Sequence, residues 1–247
     1  MPGQKTTAPI ELRSMLLATL LGSGLSLILI AIFLWMQQDV DQAVLTWTNG
    51  ARESGVIVHL AQALTRYGMA LIAFGLLAYM SVTFLAPSLV DTQRLSVVFL
   101  LSFSIIGGGG DLLKEVFKRP RPSMVTAFEA NAKSKSDTYS FPSGHAAKSL
   151  ALAIPFVIFV PNRRRWIVFL KGALLLVALS VCASRILLAR HYLSDVLGAF
   201  GLTLLLLPVL IFVCNRIFSR TPVEKLRLAV KVWTLALLGL ALLLLLL

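Results

Sequence analysis

The sequence predicts an all-α, integral membrane helical bundle: six core transmembrane helices, with a further apolar segment after them. Three observations predict it. Of 247 residues, 57% are hydrophobic and only 14% are charged, with a mean hydropathy of +0.85, a balance foreign to a soluble domain of this length. The apolar residues gather into runs near twenty, the length that crosses roughly 30 Å of hydrocarbon. The basic residues stand mostly at the ends of those runs. Helices follow because a segment in lipid must satisfy its backbone amides internally.

Residues 1–14 read as a cytoplasmic tail carrying Lys5 and Arg13. The run from Met15 to Met36 is too long for a signal-peptide core and ends in Gln37-Gln38-Asp39 without a small-residue cleavage pattern. It therefore reads as a retained first span, 15–37. The stretch 38–67, with Trp47 and an apolar patch from Val56 to Leu64, reads as an interfacial segment anchored by the indole. Further spans are expected at 68–87, 95–117, 145–161, 166–189 and 195–215, which makes 15–215 the core. Residues 123–140 are polar and mixed in charge, a surface loop. After a basic linker comes an apolar segment at 229–247, interrupted by Lys231. Val232–Leu247 is short for a crossing, and the alternatives are a span, an interfacial helix or docking against the bundle. Cys182 and Cys214 both fall inside apolar runs and read as small packing residues.

Orientation follows from the basic residues. With the N-terminus inside, the cytoplasmic segments hold Lys5, Arg13, Arg94, Arg163-Arg164-Arg165, Arg216, Arg220, Lys225 and Arg227. The net charge of +12 is a cue for nucleic acid, but its placement at span ends fits anionic membrane lipids and topology instead.

The opposite face holds Arg52 and Arg66 together with three short motifs: Lys114 with Arg121-Pro122, then Pro142-Ser143-Gly144-His145, then Ser184-Arg185 with His191 and Asp195. Ser143 and Gly144 open a span, where unpaired helix amides make an anion site, although Ser143 also reads as a simple helix cap. His191 and Asp195 are four apart, so on a helix they share a face. A carboxylate there fixes the imidazole tautomer and frees the other nitrogen to attack. The plain alternative is a pair that only stitches two spans together. Arg185 suits bidentate grip of phosphate oxygens. Lys114 suits phosphate or simple snorkelling, with Asp111 one turn earlier as a partner. Lys118 and Arg119 compete with Arg121, and residue chemistry alone does not choose among them. The Gly107–Gly110 run reads as a site of close helix packing or a kink. Lys148 either adds to head-group binding or snorkels outward, and His59 reads as structural.

K-x6-R-P, P-S-G-H and S-R-x5-H-x3-D resemble, at every defined position, the signature of the type 2 phosphatidic acid phosphatase superfamily. That superfamily includes membrane lipid phosphatases, bacterial phosphatidylglycerophosphatases among them, together with glucose-6-phosphatases and vanadium haloperoxidases. The resemblance covers residues 114–195 and extends to the six-span core, leaving 216–247 outside it. It selects Arg121 over Arg119. It implies His191 as nucleophile forming a phosphohistidine, Asp195 as its stabiliser and His145 as acid and then base. It also implies Lys114, Arg121, Ser143, Gly144 and Arg185 as phosphate ligands, with no cofactor and no metal. The expected substrate is a lipid phosphate: phosphatidic acid, phosphatidylglycerol phosphate or undecaprenyl diphosphate. A lipid A phosphatase and a lipid phosphotransferase are the alternatives, and an anion transporter without catalysis is the remote one. The expected location is a bacterial inner membrane, with the site facing the periplasm or exterior.

Overall fold

The computed structural model describes residues 10, 12–85, 90–122, 138–162 and 164–221, with short helical pieces at 224–225, 228 and 231–236. The expected loop at 123–140 and apolar segment at 229–247 fall mostly outside these residues. Among the described residues there is no strand, only an isolated antiparallel bridge between Pro120 and Tyr139.

The chain runs through α1 (Ser14–Gln37), α2 (Asp39–Glu53), α3 (Gly55–Leu85) and α4 (Val90–Leu101). A π-helical turn at Ser102–Ile106 joins α4 to α5 (Gly107–Phe117), and α6 (Gly144–Phe159), α7 (Arg165–Leu187) and α8 (Leu193–Arg220) follow. Among the described residues, five stretches are long and apolar enough to cross a membrane: Ser14–Gln37, Gly55–Tyr79, Arg94–Phe117, Arg165–Leu187 and Leu193–Arg220. The sixth expected span is α6, whose 16 residues extend about 24 Å.

One expectation is corrected. The patch from Val56 to Leu64 is not part of an interfacial helix, because α3 starts at Gly55 and carries it into the second long apolar helix. Only α2 fits the interfacial description: Asp41, Leu45 and Thr48 line its buried face, while Trp47 is 81% exposed. The break between the helices falls at Ser54, which adopts an extended conformation.

The centre of the bundle is α6, where Ala146, Ala147, Leu150, Ala151 and Ala153 are inaccessible to solvent. It packs on α5, α7 and α8. α1 and α8 run against each other along their length, backbone to backbone at Gly24 and Gly201. A Cβ on Gly201 would stand 2.7 Å from the Gly24 carbonyl oxygen, an approach that only small residues permit. At one end Asn215 clamps Ile10, accepting from its N–H and donating to its carbonyl. At the other, Trp35 stacks on Phe141, and Phe117 meets both rings edge-on. That aromatic cluster underlies the end at which all three motifs converge. The glycine run contributes there through Gly107, where a Cβ would stand 2.5 Å from Lys148 Cγ, whereas Gly108 and Gly109 face open space.

Candidate active site

The motifs lie on four helix ends, and two left-handed turns aim them. Lys118 (φ 48°) closes α5 immediately before Arg119, and Ala189 (φ 49°) turns the chain after α7 toward His191. Beyond that second turn, the N–H groups of Arg190 and His191 both donate to the carbonyl of Arg185. Ser140 N–H donates to the Arg119 carbonyl at 2.7 Å, and Arg121 Nε to the Tyr139 carbonyl at 3.3 Å. These bonds lock the first motif to the second. Ser143 N–H donates to the Asp195 carbonyl at 3.1 Å, locking the second to the third.

Lys114 is buried, not snorkelling, and its Nζ lies 2.7 Å from Asp111 Oδ1 on the same helix face. Lys148 joins the other carboxylate oxygen at 3.6 Å. Gly144 opens α6 directly against this pair: a Cβ there would stand 3.2 Å from Asp111 Oδ1 and 3.3 Å from Lys114 Nζ. Ser143 occupies the N-cap position, but its hydroxyl makes no capping bond. That Oγ is buried without a hydrogen-bond partner among the described residues, the state expected of a group reserved for a ligand. The capping reading of Ser143 is therefore corrected.

His145 is solvent-exposed in the first turn of α6, within electrostatic reach of Arg185, His191, Lys148 and Lys114. His191 is its opposite, only 1% exposed. Burial pushes the His191 imidazole down to about 4, against the hydrogen-bonding and charge of Asp195, with Arg185 and Arg121 pushing the same way as burial. Its Nδ1 lies 3.5 Å from Asp195 Oδ2, longer than a good hydrogen bond. The expected same-face helical pairing is corrected as well. His191 precedes α8, Tyr192 is the N-cap, and Asp195 sits in the first turn, where its Oδ2 accepts the Tyr192 N–H at 2.8 Å. The carboxylate reaches the histidine across the helix start. His59 is exposed on α3.

Sequence reasoning missed two residues. Arg119 is not a rival of Arg121 but a separate buried hub. Its Nη1 donates to Asp195 Oδ1 at 2.7 Å and to Ser194 Oγ at 2.6 Å, and its Nη2 to Asp41 Oδ2 at 2.8 Å. Its guanidinium stacks 4.0 Å from the centre of the Tyr192 ring. Asp41, on α2, also accepts from the Ser194 N–H at 3.0 Å and from the Ser194 hydroxyl. The helical spacing Asp41–Leu45–Thr48 was the available signal, since it puts the aspartate on the apolar face of α2.

Lys114, Arg119, Arg121 and Arg185 are thus buried beside two buried carboxylates, Asp41 and Asp195, and the half-exposed Asp111. Among the described residues, no three His, Cys, Asp or Glu side chains are grouped to hold a metal ion.

A family model described as the PAP2 superfamily matches residues 94–218. Human sphingosine-1-phosphate phosphatase 2 is 31% identical over 118 residues, which is 47% of this chain and 28% of the human protein. Mouse sphingosine-1-phosphate phosphatase 1 is 30% identical over the same length, 26% of that protein. The chain therefore spans little more than a quarter of these relatives. A transmembrane PAP2-type phosphatidylglycerolphosphate phosphatase from Bacillus subtilis, known from its crystal structure, superposes with a TM-score of 0.57. The match is at 21% identity, over 81% of this chain and 98% of that one.

Proposed function

Because this chain belongs to the PAP2 superfamily, we propose that it is an integral membrane phosphatase releasing inorganic phosphate from a lipid phosphate monoester. The observation that carries the reading is the pairing of a buried histidine, backed by a carboxylate, with an exposed one near the buried side chains of Lys114, Arg121 and Arg185. The relatives bear on the substrate class: one set is named for sphingosine-1-phosphate, the structural neighbour for phosphatidylglycerol phosphate, both lipids that end in a phosphate monoester. Phosphatidic acid belongs to the same class, and undecaprenyl diphosphate is the diphosphate alternative.

In this mechanism the substrate phosphate binds among Lys114, Arg121, Arg185, the Ser143 hydroxyl and the Gly144 amide, which stabilise its equatorial oxygens as charge develops. His191 directs Nδ1 to Asp195 and attacks phosphorus through Nε2. The bond from phosphorus to the lipid oxygen breaks as His145 gives that oxygen a proton. The lipid alcohol leaves and a phosphohistidine remains. His145 then takes a proton from water, the hydroxide attacks phosphorus, and the P–N bond breaks to release phosphate and His191. Asp195 stabilises the cationic ring in between. No step uses a metal. The basic-residue distribution supports a cytoplasmic N-terminus and a site at the outer surface of a bacterial inner membrane.

Phosphate release by the purified protein from a panel of phosphatidic acid, phosphatidylglycerol phosphate, sphingosine-1-phosphate and undecaprenyl diphosphate tests this function. Turnover of at least one lipid, lost in His191→Ala, is the expected result. Equal release by wild type and His191→Ala refutes it, and transfer of the phosphoryl group to an alcohol with none to water marks the phosphotransferase instead.

A further inference from the structure

We infer that Asp41, on α2, is a positioning residue for the His191 reaction, acting through Arg119 to set the charge of Asp195. The inference rests on the phosphatase reading above and extends it to a residue outside the family match at 94–218.

Consider first Asp195 without Asp41. Its Oδ1 lies 2.7 Å from Arg119 Nη1, with both side chains nearly inaccessible to solvent (4% and 0%). A guanidinium held that closely cancels the carboxylate charge. Asp195 would then have little left to stabilise a cationic His191 ring, and Arg119 would be a liability to the chemistry. Asp41 changes this. Its carboxylate takes the other face of the same guanidinium at 2.8 Å and is itself fully buried. Asp41, Arg119 and Asp195 together carry one net negative charge while His191 is neutral. Among these four side chains, the charge is balanced once the imidazole becomes cationic, as it does on attacking phosphorus. Stabilisation that appears when the ring charges and is absent before is what raises kcat rather than affinity.

The geometry also fixes direction. Asp41 receives Ser194 twice, through its backbone N–H and its hydroxyl, at the first turn of α8. Arg119 shares that same hydroxyl. The network therefore holds the helix start on which Asp195 sits, with Asp195 Oδ2 left toward Tyr192 N–H and His191. The other charged groups bearing on His191 are Arg185 and Arg121, with His145 across the site. All of them belong to the motifs, so Asp41 is the anion supplied from elsewhere in the fold.

A purely structural role for Asp41 makes a different prediction, and three variants separate the two. In Asp41→Asn, kcat is expected to fall roughly 10–100-fold, the range met when a metal-ligating side chain loses the group that orients it, with KM changed less than about twofold. The His191 pKa, followed by NMR of histidine-labelled protein and assigned with His191→Ala, is expected to fall below its wild-type value. In Asp41→Asn combined with Arg119→Gln, which restores one net negative charge, that pKa is expected to return to the wild-type value or above, with kcat higher than in the single variant. A structural role predicts the reverse, a double variant worse than either single one. An unchanged kcat in Asp41→Asn, or a His191 pKa that does not respond to either variant, overturns the inference. Should Asp41→Asn not purify in folded form, Asp41→Glu, which keeps the charge, is expected to retain the wild-type pKa, and a fall there overturns it equally. The NMR readout requires no substrate, so it stands even where the lipid panel shows no turnover, a result that counts against the phosphatase reading alone.

Discussion

Asp195 faces two ways: Oδ1 accepts from Arg119 Nη1 at 2.7 Å, and Oδ2 lies 3.5 Å from His191 Nδ1. One carboxylate thus joins the buried ion network to the reacting imidazole, and its replacement has a signed consequence. Burial lowers the His191 pKa to about 4, and Asp195 acts against that shift. Asp195→Asn removes the opposing influence, so the pKa is expected to fall further, read by NMR titration. The ring is neutral in the folded protein at pH values where it is partly charged in the unfolded chain. Its contribution to stability is therefore complete above about 6.5 and is lost as the pH falls toward about 4. A rise of the pKa in Asp195→Asn contradicts the assignment.

Ser143→Ala separates a ligand from a cap. A capping serine costs about 0.5–2 kcal/mol when removed, but this hydroxyl makes no capping bond and is buried without a partner among the described residues. The thermal midpoint of the solubilised protein is expected to hold or rise, while kcat/KM on the turned-over lipid falls about tenfold, as for loss of one bond to a charged group.

Gly144→Ala puts a Cβ 3.3 Å from Lys114 Nζ and 3.2 Å from Asp111 Oδ1. The lysine must move, and the backbone can no longer close on an anion. Phosphate binding is expected to weaken about tenfold or more, the equivalent of about 1.4 kcal/mol, read as vanadate inhibition, with little change in overall fold.

Gly201→Val tests the α1–α8 crossing. Its Cβ would meet the Gly24 carbonyl oxygen at 2.7 Å and Ile28 N at 3.0 Å, both backbone atoms that have nowhere to go. Overpacking of this kind costs about 1–3 kcal/mol, so the melting temperature is expected to fall, whereas Gly22→Ala, facing open space, is expected to leave it unchanged.

Much of this was legible in the sequence because lipid makes both apolar length and charge informative. The long runs placed α1, α7 and α8 within a few residues, and the motifs named the side chains that meet at one end of the bundle. What escaped was whatever depends on where a helix begins. Nothing in the hydropathy of 55–67 separates an interfacial patch from the first turns of a long helix; Ser54 makes the distinction through its extended backbone. In the same way the spacing of His191 and Asp195 suggested one helical face, but Tyr192 caps the helix between them. Arg119 and Asp41 escaped for a different reason. They lie 78 residues apart in sequence, and a salt bridge of that separation leaves no local pattern. Only the apolar neighbours of Asp41 on α2 hinted that it points inward.

The central claim, nucleophilic attack by His191, is tested most directly by trapping its product. Wild-type protein is mixed with a lipid carrying a radiolabelled phosphate and quenched in alkali, which preserves phosphohistidine, and the labelled peptide is then mapped. Label is expected on His191, accumulating in His145→Ala because hydrolysis of the intermediate slows, and none in His191→Ala. Lipid turnover at the wild-type rate by His191→Ala, with no protein-bound label in any variant, would contradict it.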